Sequence, residues 1–419
     1  MKYVIIGNSA AGISAAEVIR KNDSKGTITI ISDEPFNTYS RPLISYYLKN
    51  KVAKERMYFR DEKFYEKMNI DTVLGKKVVR IDVETKKVIM EDDTFFKYDR
   101  LLLANGSVPF VPPIENLNNQ GNVFSFMKWQ DSIEIKEYAK KEHKVVIIGG
   151  GLIGLKAAEG IHSTCEDVTA IDLASKLLTT ILDDKAGEMV SNHIINNGIK
   201  CLLNDTVVSV QGTDKVESVT LKSGAVLPCD LLVLAVGVRP NTALALTAGI
   251  KVSRGVMTDN YMLSSVENIY AAGDVSESYD ILDGVSKVLA LWPNAVYQGK
   301  VAGDQMSDGK TTYDGGFAMN AIDFFGMRIM TCGLINPPED EYEIATYVED
   351  GKYKKLVVKN DQLKGFILMN YPHRAGIYTS LVRNGDKLSE LNGNVIDDIG
   401  LLNFTPEQRK IKIFGSDIK

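Results

Sequence analysis

The strongest constraint in this sequence is a glycine fingerprint that occurs twice. Residues 3–17 read YVIIGNSAAGISAAE, and residues 145–159 read VVIIGGGLIGLKAAE. Each copy is an apolar strand, a turn of the form G-x-[GS]-x-x-G and the alanine-rich start of a helix. We name these turns the first glycine turn (residues 7–12) and the second glycine turn (residues 149–154). In such a turn the glycines allow a sharp bend and a close approach of the backbone to a pyrophosphate. The sequence therefore predicts two dinucleotide sites, each at a helix N-terminus.

The duplication extends beyond the two turns. YDRLLLANGSVP at 98–109 parallels CDLLVLAVGVRP at 229–240, and a stretch typical of a strand meander precedes each of them. From Gly7 to Gly106 is 106 − 7 = 99 positions, and from Gly149 to Gly237 is 237 − 149 = 88. Two units of nearly the same design therefore follow each other along the chain.

Composition limits the class of protein. A chain of 419 residues with 44% hydrophobic and 25% charged residues is typical of a globular protein with two or three domains. Its net charge of −5 argues against nucleic acid or an anionic membrane as the main partner. No apolar run approaches the roughly 20 residues that span a bilayer. Because MKYVIIG enters a strand at once, we expect no signal peptide and a cytoplasmic location.

Cysteine and histidine are too scattered for a metal site. Iron–sulfur clusters and structural zinc usually require closely spaced ligands. The residues in question are Cys165, Cys201, Cys229, Cys332, His143, His162, His193 and His373. We therefore predict no metal site in this chain.

A third element completes the pattern. Residues 269–275, IYAAGDV, place Asp274 beyond a short apolar strand, and Pro293 in WPNAVYQGKVAGDQM (292–306) suits the first turn of a helix. With these ordered motifs, the chain over roughly 1–315 resembles the FAD- and NAD(P)-dependent pyridine nucleotide–disulfide oxidoreductase superfamily. It is most similar to the branch of NADH-rubredoxin reductases, ferredoxin reductases, the flavin part of the large nitrite reductase subunit and apoptosis-inducing factor.

The resemblance implies an α/β fold. We expect two Rossmann-like dinucleotide-binding domains in a three-layer, glutathione-reductase-like arrangement and a small C-terminal α+β domain. The implied domains are a discontinuous FAD-binding domain at 1–115 and 245–315, an NAD(H)-binding domain at 116–244 and an interface domain at 316–419. In the last domain the pattern from 342 to 370 predicts three strands, followed by a short helix that ends at Gly385.

The resemblance assigns the first glycine turn to FAD. It implies that the following residues bind this cofactor: Gly7, Ser9, Ala10, Gly12, Asp33, Glu34, Arg41, Val79, Ala104, Asn105, Gly106, Asp274, Trp292, Asn294 and Ala295. Asp33 or Glu34 would accept hydrogen bonds from the ribose, and Asp274 from the ribitol chain. Three alternatives remain open: Ser32 stands at the ribose position, the two acids form a surface turn, or Trp292 is a core aromatic.

The second glycine turn is assigned to NADH. The implied binding residues are Gly149, Gly151, Leu152, Ile153, Gly154, Asp172 and Gly237. Asp172 ends a strand, where an acid favours the free 2′-hydroxyl of NADH and repels the 2′-phosphate of NADPH. The segment LASKLL supplies only Lys176 as a cation, so NADH is favoured and NADPH is the alternative.

The path of the electrons follows from a missing thiol. Disulfide reductases of this superfamily place a redox cysteine on the helix after the flavin-ribose strand, but YSRPLISYYLKN contains none. We therefore expect electrons to leave the flavin directly for a rubredoxin or a ferredoxin-like iron–sulfur protein. The reaction would be reversible. The chain would form a homodimer or serve as the flavin subunit of a redox complex. The alternatives are an NADH oxidase that uses oxygen or another small acceptor, and an FAD- and NADH-binding protein without turnover.

Two positions depart from the family pattern. Many relatives carry Glu at position 156 and a partner Lys at position 46, where this chain has Lys156 and Tyr46. These two residues are our catalytic candidates. A cation in the first turn of a helix is disfavoured by the helix dipole, so we expect an anion beside Lys156. That anion would be the NADH pyrophosphate, the reduced flavin or Glu159, the last as a surface pair.

Overall fold

The computed structural model describes residues 1–117, 120–371, 374–392 and 403–406, so His373 lies outside the described residues. Backbone contacts divide the chain into two compact units. The first unit comprises Met1–Gly149, Ile153–Ile171 and Asp205–Gly316. The second comprises Gly150–Leu152, Asp172–Asn204 and Phe317–Lys419. The predicted domain boundaries stay predictions.

The strands are, in chain order, β1 Lys2–Ile6, β2 Thr27–Ser32, β3 Ile70–Leu74, β4 Val78–Asp82, β5 Lys87–Met90, β6 Phe95–Lys97, β7 Arg100–Leu103, β8 Ser107–Pro109, β9 Val123–Ser125, β10 Lys144–Ile148, β11 Asp167–Asp172, β12 Lys200–Leu203, β13 Val207–Gln211, β14 Ser218–Leu221, β15 Val226–Pro228, β16 Leu231–Leu234, β17 Val238–Pro240, β18 Val256–Met257, β19 Ile269–Ala271, β20 Ser276–Asp280, β21 Val285–Lys287, β22 Met319–Phe324, β23 Met327–Gly333, β24 Glu343–Glu349, β25 Lys352–Lys359 and β26 Gln362–Met369.

The helices are α1 Ala10–Asn22, α2 Ile44–Leu48, α3 Phe64–Lys67, α4 Trp129–Tyr138, α5 Leu152–His162, α6 Asp184–Asn196, α7 Ala243–Thr247, α8 Trp292–Met306 and α9 Ala375–Asn384. Short 3₁₀ turns lie at Arg41–Leu43, Lys54–Arg56, Glu339–Glu341 and Leu388–Glu390.

The first unit contains two parallel sheets of similar design. One has the order β19-β7-β1-β2-β3, and the other includes the neighbours β11-β10-β16-β9. The central strands β1 and β10 are buried along their length except for the first residue of each. Such continuous burial explains why both strands read as unbroken apolar runs rather than as alternating ones. The duplication seen in the sequence is therefore a duplication of sheets.

Each parallel sheet is interrupted along the chain by the expected meander, which precedes β7 in the first repeat and β16 in the second. Antiparallel strands β4-β5-β6 form the first meander and β13-β14-β15 the second. The duplicated ends NGSVP and VGVRP then pair with each other, since β8 and β17 are antiparallel, with Val238 opposite Pro109. The two repeats are thus hydrogen-bonded to one another immediately after Gly106 and Gly237.

Helix α1, which follows the first glycine turn, packs closely against α8. A Cβ atom on Gly299 of α8 would lie 2.2 Å from the carbonyl oxygen of Ala11, and one on Gly303 would lie 2.5 Å from that of Ala15. Only glycine allows so short an approach. The N-terminal part of α1 therefore lies directly against α8.

The second unit contains an antiparallel sheet with the order β22-β23-β26-β25-β24, and α9 packs on β23 and β26. The three predicted strands are β24, β25 and β26, and the predicted helix ends before Gly385, which has φ 63°. Strands β22 and β23 were not predicted; they join through Phe325 and Gly326 with φ 46° and 85°. The predicted α/β class with a C-terminal α+β domain is confirmed.

Candidate functional site

The first glycine turn admits only glycine at its first and last positions. Gly7 has φ 122°, and a Cβ atom on it would lie 2.0 Å from the carbonyl oxygen of Ala104. A Cβ atom on Gly12 would lie 2.0 Å from the carbonyl oxygen of Gly7. Ser9 stands before α1 in extended conformation and makes no side-chain cap, so Ala10 opens the helix without a capping hydroxyl. The turn is shaped for an anion at a helix N-terminus.

The second glycine turn repeats this geometry. A Cβ atom on Gly149, which has φ 117°, would lie 2.3 Å from the carbonyl oxygen of Ala235. One on Gly154 would lie 1.9 Å from the carbonyl oxygen of Gly149. A Cβ atom on Gly151 would meet no described atom within 4 Å, so room remains beside this residue. Leu152 and Ile153 then open α5.

The acids that follow β2 are held by side chains. Glu34 accepts hydrogen bonds from Arg41 at 2.8 Å and from the Tyr39 hydroxyl at 2.7 Å. Asp33 instead pairs with Lys128 at 2.8 Å, and more than half of its side chain is exposed. The structure therefore brings Glu34 and Arg41, both predicted to bind FAD, into direct contact and leaves Asp33 at the surface.

The acid that ends β11 is held by the backbone. Asp172 Oδ2 accepts from the Gly150 N–H at 2.5 Å, and Oδ1 accepts from the Ala174 N–H at 2.7 Å. Lys176, the cation of this segment, pairs with Asp184. The carboxylate is thus oriented by two fixed donors, and the lysine beside it already has an acidic partner.

A buried network surrounds Asp274. The Ser107 hydroxyl donates to Asp274 Oδ2 at 3.1 Å. Burial raises the pKa of the Asp274 carboxyl, while the Ser107 hydrogen bond and the charge of Arg41 oppose that rise. The preceding residue, Gly273, donates its N–H to Gln298 Oε1 at 2.7 Å, and Gln298 is 1% exposed.

Sequence reasoning named neither Ser107 nor Gln298, although both lie in quoted motifs. A polar residue at either position is equally compatible with a solvated site, and only the tertiary fold shows that both are buried. No signal in the sequence distinguishes these two cases.

Asn105 is partly buried, and half of its side-chain amide is hydrogen-bonded. Its Nδ2 donates to the Asn241 carbonyl oxygen at 2.8 Å, whereas its Oδ1 has no hydrogen-bond partner among the described residues. Gly106 and Gly237 have φ 64° and 107°, and a Cβ atom on either would meet no described atom within 4 Å. A buried acceptor beside open glycines fits a ligand that brings hydroxyl or amide donors.

The strand predicted to meet adenine contains a β-bulge. The register of β4 with β5 passes from Val78 to Arg80, so Val79 is the extra residue of the bulge. The second meander has the same shift at Val208, whose carbonyl oxygen accepts from the Glu115 N–H at 2.9 Å. The β-bulge is therefore part of the repeat. At a bulge, backbone N–H and C=O groups are left out of the hydrogen bonds between the strands.

The start of α8 carries the remaining FAD candidates. Trp292 packs edge-on against Phe59, with ring centroids 5.2 Å apart, and is half-buried. Asn294 is 8% exposed. The Ala295 N–H donates to the Leu291 carbonyl oxygen at 2.9 Å, so this amide already has an acceptor. The roles predicted for these three residues stay predictions.

The two catalytic candidates belong to a buried ionic cluster. Glu159 accepts from Lys156 at 2.8 Å and from Lys49 at 2.6 Å, and the exposed fractions of the three side chains are 0%, 13% and 9% in that order. The Lys156 ammonium also lies 5.1 Å from the centroid of the Tyr46 ring. Glu159 is thus the anion beside Lys156, but the pair is buried rather than at the surface.

The cysteines lie in surroundings that keep them protonated. Burial raises the pKa of the Cys165 and Cys201 thiols to about 11 and that of Cys229 and Cys332 to about 12. A thiol with so high a pKa is a poor nucleophile and metal ligand at neutral pH. Within the described ranges, no group of three or more acidic, histidine or cysteine side chains is placed to hold a metal ion. The same part of the chain contains no helix long and apolar enough to cross a membrane.

Comparison with known proteins identifies the family. Residues 1–299 match the pyridine nucleotide-disulphide oxidoreductase model. The chain belongs to this family. Residues 319–386 match the rubredoxin NAD⁺ reductase C-terminal domain. The resemblance inferred from the motifs is confirmed. Membership of the family implies that the chain binds a flavin and a nicotinamide nucleotide.

The individual relatives are named for different activities. Nitrite reductase [NAD(P)H] of Bacillus subtilis is 33% identical over 93% of this chain and 48% of its own length, so the chain spans about half of that relative. NADH oxidase of Methanocaldococcus jannaschii is 33% identical over 73% of this chain and 70% of its own length. A ferredoxin reductase from Rhodopseudomonas palustris superposes with a TM-score of 0.80 at 25% identity, covering 88% of this chain and 91% of the other.

Proposed function

We propose that this protein uses NADH to reduce FAD and passes the electrons singly to a separate carrier protein of the rubredoxin or ferredoxin-like iron–sulfur type. The observation that carries this proposal is the absence of a usable thiol. Residues 41–48, which contain Arg41 and helix α2, include no cysteine. Burial holds all four thiols of the chain protonated, as their raised pKa values indicate. Electrons are therefore expected to leave the flavin without a protein disulfide.

FAD is proposed as the flavin because the site has a dinucleotide design. The first glycine turn offers a helix N-terminus for a pyrophosphate. Glu34 and Asp274 supply carboxylates for ribose and ribitol hydroxyls. Asn105 Oδ1, which has no hydrogen-bond partner in the part of the chain that the structure describes, supplies a further acceptor. When bound, FAD accepts a hydride and releases electrons one at a time. The residues of this chain bind and orient it, because hydride transfer depends on positioning rather than on an acid or base.

NADH is proposed in preference to NADPH on the charges around Asp172. The carboxylate is oriented by the N–H groups of Gly150 and Ala174, an arrangement suited to accepting the two ribose hydroxyls. A 2′-phosphate would face this acid, and Lys176 is already paired with Asp184. These contacts support discrimination against NADPH.

The carrier is proposed from the family relationships. The C-terminal domain model is named for rubredoxin NAD⁺ reductase, and a ferredoxin reductase is among the similar structures. The chain spans about half of the nitrite reductase relative, which supports a role as one portion of a larger redox system. The NADH oxidase relative favours oxygen as the acceptor in a second candidate function.

An anaerobic stopped-flow experiment tests the proposal. The purified flavoprotein is reduced with NADH and, in a parallel series, with NADPH, while the bleaching of the flavin is recorded. The reduced protein is then mixed with oxidised rubredoxin, with a plant-type ferredoxin or with oxygenated buffer. We expect faster reduction by NADH and faster reoxidation by a carrier protein than by oxygen.

Three results would contradict the proposal in different ways. Pure protein without flavin would end it, and so would a reduced protein that ignores every one-electron acceptor. Reoxidation by oxygen alone would favour the oxidase, and a long-lived reduced complex with NAD⁺ would favour a binding protein without turnover.

A further inference from the structure

The segment that carries Asp172 is bound to the C-terminal sheet by polar side chains. This segment, residues 172–204, belongs to the second unit together with Gly150 and the sheet β22–β26. Asn336 donates to the Leu182 carbonyl oxygen at 3.1 Å, and the His193 ring lies 3.1 Å from the Phe324 carbonyl oxygen. The acid proposed to bind the NADH ribose therefore lies in a segment that the sheet supports.

The centre of this contact is Asp183, a partly buried acid at the start of α6. Asp183 Oδ2 accepts from the Tyr353 hydroxyl at 2.5 Å and pairs with Lys355 Nζ at 3.1 Å. Its Oδ1 caps the helix by accepting from the Ala186 N–H at 2.9 Å. Tyr353 and Lys355 are two residues apart on β25, so they point to the same face, and they are 2% and 7% exposed.

A short hydrogen-bonded path leads from Asp183 back to Asp172. The Leu182 N–H donates to the Leu178 carbonyl oxygen at 3.0 Å, and the Leu178 N–H donates to the Gly150 carbonyl oxygen at 3.0 Å. Gly150 in turn donates its own N–H to Asp172 at 2.5 Å. Every hydrogen bond of this path has a backbone N–H as its donor, and all of them lie within one unit.

Leu178 shows that the path is under constraint. It has φ 57°, which is a left-handed conformation that a leucine rarely adopts, and it is 2% exposed. A residue stays in such a conformation only when its surroundings determine it. Here the surroundings are the second glycine turn at one end and Asp183 with its two partners at the other.

We propose that Tyr353 and Lys355 are positioning residues, which hold Asp172 and the Gly150 amide in place for the adenosine half of NADH through Asp183 and Leu178. The inference rests on the proposed function, because it takes Asp172 to be the ribose acid. It adds that nucleotide affinity depends on two residues of the C-terminal domain that touch no nucleotide.

Titration of the flavin-loaded protein with ADP-ribose in a calorimeter tests the proposal without turnover. The test variants are Tyr353→Phe, which keeps the ring and removes one hydrogen bond, and Lys355→Met. We expect the Kd for ADP-ribose to rise between about twofold and thirtyfold, the range that residues along such networks produce. In anaerobic reduction the apparent Kd for NADH should rise equally, whereas the limiting rate and the flavin content stay unchanged.

The same sheet provides matched controls. Tyr347 on β24 is 43% exposed and donates to Glu349, and Lys359 on β25 pairs with Glu341 at 2.6 Å. Tyr347→Phe and Lys359→Met should leave both Kd values within about twofold of the wild type, since exposed pairs contribute little. Lys355→Arg should restore most of the affinity lost in Lys355→Met. If Lys355→Met does not fold, the Kd of Tyr353→Phe for ADP-ribose is the deciding measurement.

The possible failures are distinguishable. Wild-type affinity in folded Tyr353→Phe overturns this inference, as does an equal loss in the control variants or a parallel fall in the limiting rate. If the wild-type protein itself binds neither ADP-ribose nor NADH, the proposed function is wrong as well.

Discussion

The two glycine turns share their first and last glycines and differ in how their acids are held. In both turns a Cβ atom on the first or last glycine would lie 1.9 to 2.3 Å from a carbonyl oxygen. The acid of the first copy, Glu34, is held by the side chains of Arg41 and Tyr39. The acid of the second copy, Asp172, is held by backbone amides. The backbone geometry that only glycine permits is thus the same in both copies, whereas the two acids are held by different kinds of group.

Replacing the last glycine of either turn should have the largest effect on nucleotide binding. Gly12→Ala and Gly154→Ala each place a methyl group against the backbone of their own turn, so the helix must move, at a cost of about 1–3 kcal/mol or more. We expect Gly12→Ala to be isolated with little flavin. Gly154→Ala should keep its flavin but lose reduction by NADH at least about tenfold. The flavin-to-protein ratio and stopped-flow bleaching measure both effects.

Gly376→Ala is the control for this pair, because a Cβ atom on that helical residue would meet no described atom within 4 Å. It should retain both flavin and NADH reduction. If Gly12→Ala and Gly154→Ala lose the same function, the two turns do not serve separate nucleotides.

Glu159 connects the two copies, and its loss should mainly lower the stability of the protein. Glu159 on α5 neutralises Lys156 of its own helix and Lys49, which directly follows α2. Glu159→Gln removes the carboxylate that these two largely buried ammonium groups share, and we expect the free energy of unfolding to fall by about 3–5 kcal/mol. Urea denaturation followed by tryptophan fluorescence measures it.

An exposed pair of the same spacing is available as the control. Lys185 and Glu188 are also three residues apart, lie 3.0 Å from each other and are 50% and 61% exposed. Glu188→Gln should change the free energy of unfolding by less than about 1 kcal/mol. Equal effects of the two substitutions would mean that burial of the Glu159 cluster adds nothing.

This cluster also shows where sequence reasoning stops. The family pattern places a lysine at position 46 and a glutamate at position 156, and both are changed here. The structure contains such a pair at Lys49 and Glu159, three residues further along in each case, which is about one helical turn. The spacing of Lys156 and Glu159 indicated their contact. Lys49 was not foreseen, because it is distant in sequence and only the packing of α2 and α5 brings it near.

The fold was more predictable than the site because its signals are local. Apolar strands, glycine turns and meanders repeat with fixed spacing, and both repeats folded as the motifs indicated. The hairpin of β22 and β23 was missed because its turn places Phe325 at φ 46°, where turn rules expect Gly, Asn or Asp. Ser107 and Gln298 were missed because their burial depends on distant segments.

Asp172→Asn tests whether the Asp172 carboxylate contributes to NADH binding. The amide keeps one acceptor for the N–H groups of Gly150 and Ala174 but loses the second acceptor and the negative charge. We expect the apparent Kd for NADH to rise about tenfold to a hundredfold, corresponding to about 1–3 kcal/mol, and the preference over NADPH to shrink. Stopped-flow reduction with each nucleotide measures both.

The first copy supplies the comparison for Asp172→Asn. Asp33 stands near the corresponding place but is 55% exposed and pairs with Lys128. Asp33→Asn should leave flavin content unchanged, whereas Glu34→Gln should lower it. The reverse outcome would identify Asp33 as the ribose acid of the first copy.

Lys156→Gln should have the smallest effect and tests what the changed pair does. Lys49 still neutralises Glu159 in this variant, so the protein should fold. If the flavin lies where the family resemblance implies, removing a positive charge disfavours the anionic reduced flavin. We then expect the midpoint potential to fall by about 10–30 mV, on the order of 0.5–1.4 kcal/mol for a two-electron couple. Lys185→Gln, at an exposed position, should leave the potential unchanged. A wild-type potential and a wild-type hydride-transfer rate in Lys156→Gln would make Lys156 a structural partner of Glu159, with no influence on the flavin.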